Sequence, residues 1–247
     1  MNEPTGVAEG TATSEETPRG RVRAVLVAFG LLLTGLVASL AVGIVFTVPL
    51  LLSGTDIQRP GPFLLLTAVG QGAFLVVGFV YVRRYGDVTV RRPSRRDLRY
   101  IGGGLLAALV AAIGLSVVVS VLGIGPEGSV FEGPITATPW IALALAALSI
   151  VLVAPAEELL FRGAIQGRLR RSFGPVGAVG GASVLFGAIH LLNYTGSVVG
   201  VASGVVIVTV SGTIFGTVYE RTGNLLVPIG VHGGYNAVLL TVAFLAS

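Results

Sequence analysis

Two adjacent glutamates and an arginine interrupt an apolar stretch in the segment APAEELLFRG: Glu157, Glu158 and Arg162. Each charge at the centre of a membrane helix costs roughly 2.5–3.5 kcal/mol on insertion-derived scales, so three together indicate a compensating role. Glu158 and Arg162 are four residues apart and can pair on one helical face, while Glu157 points about a quarter-turn away. Glu157 is therefore a candidate general base. The Glu158–Arg162 pair either supports catalysis or only holds helices together.

The chain contains two histidines, and both lie in apolar segments, His190 at the end of FGAIH and His232 at the start of HGGYN. Phe186 precedes His190 by four residues and Asn236 follows His232 by four, so each pair shares a helical face. A lone histidine in an apolar helix is usually a hydrogen-bonded packing residue. Two of them beside an acidic pair favour a functional site.

These residues must be positioned by membrane helices, as the composition indicates. The chain is 53% hydrophobic and 11% charged, against about 25% charged in an ordinary soluble domain. Apolar runs of about 20 residues recur along it, and helices are the structures that satisfy the backbone inside a bilayer. We predict an all-α, polytopic transmembrane bundle in the lipid bilayer. The absence of cysteine excludes disulfides and thiolate chemistry.

The predicted organisation is a disordered cytoplasmic tail, 1–20, followed by a single integral membrane domain, 21–247. The tail is polar and rich in Ser, Thr, Glu and Gly. The domain has about seven spans, the first of which is a signal anchor. The first predicted span runs to about Leu52. The other six cover about 61–82, 101–123, 139–161, 175–193, 197–219 and 225–246.

The arginines alternate between loops as the positive-inside rule requires. Seven of them lie within 83–99, and others precede the first span or lie within 168–171 and at Arg221, whereas the intervening loops contain only Arg59. This pattern predicts a multi-pass plasma-membrane protein with a cytoplasmic N-terminus. Topology explains the basic residues better than nucleic-acid binding does, so no nucleic-acid partner is expected. The sequence indicates no oligomeric state.

The spacing of the motifs allows the candidate residues to meet. If the fourth span continues to a turn near Gly174, Glu157 lies 17 residues before that glycine and His190 lies 16 residues after it. In an antiparallel hairpin both would stand roughly 24 Å from the turn. The last span brings in His232 and Asn236. We therefore expect a polar pocket between the fourth, fifth and seventh spans.

Three motifs carry a resemblance to a known family. EELLFR at 157–162 resembles EExxxR, FGAIH at 186–190 resembles FxxxH, and HGGYN at 232–236 resembles HxxxN. Their order, spacing and separate helices are similar to those of the CAAX prenyl protease and bacteriocin-processing family (CPBP, or Abi) of intramembrane proteases. The resemblance covers about 139–247.

The resemblance implies an intramembrane endopeptidase that cleaves a membrane-associated protein or peptide. In the implied roles, Glu157 activates water with help from His190, and His232 and Asn236 stabilise the oxyanion or complete the water site. Glu158, Arg162 and Phe186 have supporting roles. Glu157, His190 and His232 also supply three possible zinc ligands, so a zinc-dependent and a metal-free mechanism both stay open.

Two alternatives to a protease follow from the same residues. One is a non-proteolytic immunity or scaffolding protein that uses the pocket to bind a peptide. The other is a transporter with a proton relay, which is weakened because the ionisable groups cluster at one depth and no inverted repeat is visible.

Overall fold

The computed structural model describes residues 18–247. The predicted disordered tail therefore lies outside the described residues, except for 18–20, which belong to the first helix. The elements in chain order are α1 (Pro18–Leu52), α2 (Pro60–Tyr85), α3 (Arg95–Val121), β1 (Gly128–Ser129), α4 (Glu132–Ala137), α5 (Trp140–Leu148), a π-helical segment (Ser149–Val153), α6 (Ala154–Glu158), a second π-helical segment (Leu159–Gln166), α7 (Gly167–Ile189), a 3-10 turn (His190–Asn193), β2 (Tyr194–Thr195), α8 (Val198–Thr222) and α9 (Leu226–Ala246).

The predicted fold class is confirmed: the protein is an all-α, multi-pass membrane bundle. Within residues 18–247, six helical runs are long and apolar enough to cross a membrane. The predicted fourth and fifth spans are one of these runs, the 54 residues of Trp140–Asn193. Large apolar side chains on the outer helices are exposed, among them Leu26 at 65% and Val110 at 62%, as expected for a surface covered by lipid tails.

The run Trp140–Asn193 is folded into two arms at Gly174. The backbone of this glycine has φ 67° and ψ −175°, a conformation that is essentially restricted to glycine. Pro175 follows, and its fixed φ suits the first turn of the returning arm. Phe161 and Phe186 contact each other across the two arms, with ring centroids 5.1 Å apart. The arms are therefore antiparallel, and Glu157 and His190 lie at similar depth.

This folded run forms the centre of the bundle. In its most apolar stretch 44% of the residues are buried, against 17–33% in the other five spans. Helices α1 and α2 pack on its first arm, α8 packs on its second arm, and α9 packs on α5. The charged motif residues consequently lie where protein, and not lipid, surrounds them.

The close approach of α2 to the motif helix requires a glycine at position 78. A Cβ atom at Gly78 would lie 3.0 Å from the backbone nitrogen of Leu160 and 3.1 Å from its Cα, whereas nothing lies within 4 Å of a Cβ at Gly72 on the same helix. Because backbone atoms cannot move aside without separating the helices, we expect Gly78→Ala to destabilise the protein by about 1–3 kcal/mol through overpacking.

The matched variant Gly72→Ala should be neutral or stabilising, because alanine is the better helix former. Unfolding of both variants in detergent micelles, followed by circular dichroism, measures the difference. Equal stability of the two variants would contradict the proposed packing.

Candidate active site

A cavity of about 460 Å³ lies inside the bundle. Its walls come from α2, both arms of the central run, α8, α9 and the loop segments at one end of the bundle. All four predicted catalytic side chains line it: Glu157, His190, His232 and Asn236. The cavity has more walls than the predicted pocket between the fourth, fifth and seventh spans, because α2 and α8 also contribute to it.

Glu157 lies on the cavity wall and is only 4% exposed. Its Oε1 atom accepts a hydrogen bond of 3.0 Å from Nε2 of Gln71 on α2. Its Oε2 atom lies 3.8 Å from Nε2 of His232, which is too long for a direct hydrogen bond. One Glu157 carboxylate oxygen is thus held by Gln71, while the other faces the imidazole of His232 across a short gap.

Glu158 and Arg162 lie behind this wall and are completely buried. Arg162 Nε is 3.1 Å from Glu158 Oε2, and Arg162 Nη2 donates to the carbonyl oxygen of Gly212, also at 3.1 Å. The other Glu158 oxygen, Oε1, is 2.9 Å from Nδ1 of His232. The pair predicted from the i, i+4 spacing is present, and it connects the motif helix to α8 and α9.

Aromatic rings enclose the buried charges. The guanidinium carbon of Arg162 lies 5.0 Å from the ring centroid of Phe186 and 5.9 Å from that of Phe215, which places the cation within the range of cation–π attraction. Phe215 also stacks on His232, with centroids 4.8 Å apart and planes inclined by 18°. Phe215 therefore fixes the plane of the His232 ring, and Glu158 fixes its rotation.

The hydrogen bonds of the two histidines determine which ring nitrogen carries a proton and which one carries the lone pair. His190 Nδ1 is 2.8 Å from the carbonyl oxygen of Phe186. Because a carbonyl oxygen only accepts, Nδ1 of His190 carries a proton, and Nε2 of the neutral ring carries the lone pair. His232 has the same tautomer when it is neutral, since its Nδ1 donates to a Glu158 carboxylate that is paired with Arg162.

Asn236 lines the cavity one helical turn after His232, on the same face of α9. Its amide group supplies N–H donors, which both the carboxylate and the neutral imidazoles lack on their cavity sides. The site therefore combines hydrogen-bond acceptors on Glu157 and the histidines with a donor on α9.

Three contributors to the site escaped the sequence analysis. Gln71 and Thr67 line the cavity from α2, and Phe215 lines it from α8. Gln71 had a detectable signal, because it is a polar amide within an apolar span and such residues usually face the bundle interior. Phe215 had none, since a phenylalanine in an apolar helix is equally compatible with facing lipid.

The predicted zinc ligands Glu157, His190 and His232 all line the cavity. Residues 18–247 contain no group of three or more His, Cys, Asp or Glu side chains placed to hold a metal ion. Glu157, His190 and His232 therefore do not form a metal site as their side chains stand. Zinc stays a prediction for direct measurement.

Comparison with known proteins gives one family match. Residues 138–238 match the family model described as type II CAAX prenyl endopeptidase Rce1-like. The match spans all three motifs and confirms the family predicted from them. No curated protein and no solved structure matches the chain.

Proposed function

Because its segment 138–238 matches the family model of Rce1-like CAAX prenyl endopeptidases, we propose that this multi-pass membrane protein hydrolyses a peptide bond of a membrane-associated protein or peptide, using water activated by Glu157. The family supports a CAAX-protease-like intramembrane endopeptidase. The activated water, the roles of individual residues and the substrate are our proposals.

One observation carries the mechanism: a carboxylate, two imidazoles and an amide from three helical segments line the same cavity inside the bundle. The free Glu157 oxygen and His232 Nε2 are 3.8 Å apart, and a water molecule can contact both atoms at ordinary hydrogen-bond lengths. This water would be the nucleophile.

The proposed reaction begins when Glu157 Oε2 takes a proton from the water as the water oxygen attacks the carbonyl carbon of the substrate. The carbonyl π bond breaks, and its electrons form an oxyanion. Asn236 donates a hydrogen bond to this oxyanion, and His232 bounds the water site opposite Glu157. The tetrahedral intermediate collapses, the C–N bond breaks, and Glu157 returns its proton to the departing amine.

His190 has a positioning role towards the water in this scheme. Its Nδ1 proton is engaged by Phe186, so Nε2 of the neutral ring accepts a hydrogen bond from the cavity side. Accepting one water hydrogen at His190 directs the other towards Glu157. Phe186 thus contributes through its carbonyl oxygen as well as its ring, which lies 4.8 Å from the His190 ring.

The test is cleavage of membrane peptides by the purified protein in lipid vesicles, with products identified by mass spectrometry. The peptide set includes members with and without a prenylated cysteine, which determines whether prenylation is needed. We expect wild-type protein to cleave at least one peptide and His190→Ala to cleave it much more slowly. Equal cleavage by both would remove His190 from the mechanism, and binding without cleavage would favour the immunity or scaffolding alternative.

Gln71 is predicted to orient the general base. Removing its hydrogen bond to Glu157 in Gln71→Leu should lower kcat by about 10- to 100-fold, since a hydrogen bond to a charged group contributes roughly 1.5–3 kcal/mol. KM should change little, because the bond acts on Glu157 and not on the substrate. Thr67→Val is the matched control one turn earlier on the same wall. A rise in KM with unchanged kcat would contradict the orienting role.

The zinc alternative is checked on the same preparation. Elemental analysis of active protein, before and after dialysis against a chelator, measures bound zinc together with cleavage. Activity that persists in metal-free protein supports the mechanism above. Stoichiometric zinc that is lost in parallel with activity would replace it with a metal-dependent one.

A further inference from the structure

A peptide held in the cavity needs hydrogen-bond donors besides Asn236. Its backbone carbonyl groups leave water on entering the bundle, and each one that finds no donor there weakens binding. The free oxygen of Glu157 and Nε2 of each neutral imidazole only accept hydrogen bonds, and Nε2 of Gln71 is already bonded to Glu157. Asn236 has the oxyanion as its partner in the proposed reaction. Another donor must therefore hold the carbonyl group beside the scissile one.

Two hydroxyl groups on the wall formed by α8 and α9 lie at the required depth. Tyr235 and Ser211 both line the cavity. Helices α8 and α9 are consecutive, antiparallel neighbours, and Phe215 of the first stacks on His232 of the second. Ser211 lies one turn before Phe215 along α8, and Asn236 lies one turn after His232 along α9. The hydroxyl pair and the proposed oxyanion donor are therefore level with each other.

The neighbours of Tyr235 hold its ring and leave its hydroxyl proton available. The ring packs edge-on against Phe215, with centroids 5.9 Å apart. Ser211 is 2% exposed, and its Oγ donates to the carbonyl oxygen of Ile207 at 3.2 Å and to the Tyr235 hydroxyl oxygen at 3.5 Å. Because Ser211 is the donor in this contact, the Tyr235 proton can be given to an acceptor in the cavity.

Tyr235 and Asn236 donate in different directions. They are successive residues of α9, so their side chains leave the helix about 100° apart. Successive carbonyl groups of an extended peptide also point to opposite sides of the chain. Two diverging donors at one depth therefore suit two neighbouring carbonyl groups, which a single amide cannot serve together.

We propose that Tyr235 binds the substrate backbone: its hydroxyl donates a hydrogen bond to the carbonyl oxygen next to the scissile one. The inference rests on the proposed function for calling the bound peptide a substrate. Ser211 is a positioning residue, because it acts through the Tyr235 hydroxyl. Since the contact involves no side chain of the peptide, it serves extended apolar segments of different sequence.

The test compares two tyrosines that undergo the same chemical change. Tyr235→Phe removes the hydroxyl and keeps the ring against Phe215. Tyr219→Phe is the matched control on α8, because Tyr219 does not line the cavity. Both changes are made in Glu157→Gln protein, here called the parent, and peptide affinity is measured in phosphatidylcholine vesicles. The probes are a fluorescent Leu/Ala peptide and analogues in which one backbone carbonyl oxygen at a time is replaced by sulfur, a weaker acceptor.

Tyr235→Phe should bind the Leu/Ala peptide about 2- to 10-fold more weakly than the parent, the effect of one neutral hydrogen bond. Tyr219→Phe should bind it as the parent does. One sulfur analogue should bind the parent more weakly than the unmodified peptide does, with no such difference in Tyr235→Phe, because the bond is already absent there. Unchanged affinity in Tyr235→Phe, or losses that simply add, would overturn the assignment.

Ser211→Ala tests the positioning role. We expect a smaller loss of affinity than in Tyr235→Phe, and no further loss when the two changes are combined. A loss that persists in full beside Tyr235→Phe would overturn the role of Ser211, since Ser211 would then act without the tyrosine hydroxyl.

The binding measurement does not depend on turnover, so it separates this inference from the proposed function. Absence of cleavage by wild-type protein would remove the catalytic proposal and leave the affinity of Tyr235→Phe to decide this one. With a cleaved peptide, Tyr235→Phe in otherwise wild-type protein should raise KM and change kcat little. A loss confined to kcat would contradict a contact that binds the peptide before reaction.

Discussion

Glu157→Gln is expected to reduce peptide hydrolysis by roughly 10²–10⁴-fold, the contribution typical of a positioned general base. Glutamine has nearly the same shape as glutamate and keeps an oxygen for the hydrogen bond from Gln71, but its amide cannot take a proton from water at neutral pH. The loss should therefore appear in kcat, while thermal unfolding in detergent changes little.

Glu158→Gln is the matched control, since it makes the same chemical change at the adjacent position. Glu158 does not line the cavity and instead contacts Arg162 at 3.1 Å and His232 at 2.9 Å. We expect a smaller loss of kcat together with a clear loss of stability. If Glu158→Gln abolished turnover and Glu157→Gln mainly destabilised the protein, the two assignments would have to be exchanged.

The largest effect on stability is expected from Arg162→Met. This change leaves the Glu158 carboxylate fully buried without its cation, and breaking a buried pair from one side typically costs about 3–5 kcal/mol. Methionine retains much of the apolar volume between Phe186 and Phe215. The loss of stability should therefore come mainly from the unpaired charge of Glu158 and not from a cavity. Unfolding in mixed detergent micelles, monitored by tryptophan fluorescence, measures the change in stability.

The double variant Glu158→Gln with Arg162→Met separates an unpaired charge from lost packing. Removing both charges should restore part of the stability lost in Arg162→Met, because no isolated charge then remains in the core. If the double variant lost the sum of the two single losses, the ion pair would have no energetic coupling and the buried contact of 3.1 Å would be incidental.

The depth of the site could be predicted from the sequence because distance along a helix is set by residue number. Glu157 and His190 are almost equidistant from Gly174, and the positive φ of that glycine, followed by Pro175, fixes where the run folds. The shared cavity of the three motifs follows from this symmetry and from the polarity of its residues. The antiparallel hairpin required no information about other spans.

The partners of these residues could not be predicted, because they depend on the rotation of neighbouring helices. Gln71 and Glu157 are 86 positions apart, and a rotation of α2 by one residue would direct the amide elsewhere. Phe215 stacks on His232 only because α8 and α9 present these two faces to each other. Residue periodicity in a bundle that is apolar on most faces does not determine such rotations.

The two π-helical segments on either side of α6 set the orientation of the acidic pair. A wider turn accommodates an extra residue within a helix, and such bulges often occur at functional sites. Ser149–Val153 and Leu159–Gln166 flank the five residues that end in Glu157 and Glu158. A single-residue deletion in either segment would return the backbone to regular α-helical turns with little rotation of one flank against the other, because the wider turn had absorbed the extra residue. In evolutionary terms, one residue can be gained or lost in these segments without exchanging the environments of the two glutamates, whereas the same change of length within α6 would turn them by about 100° relative to one flank.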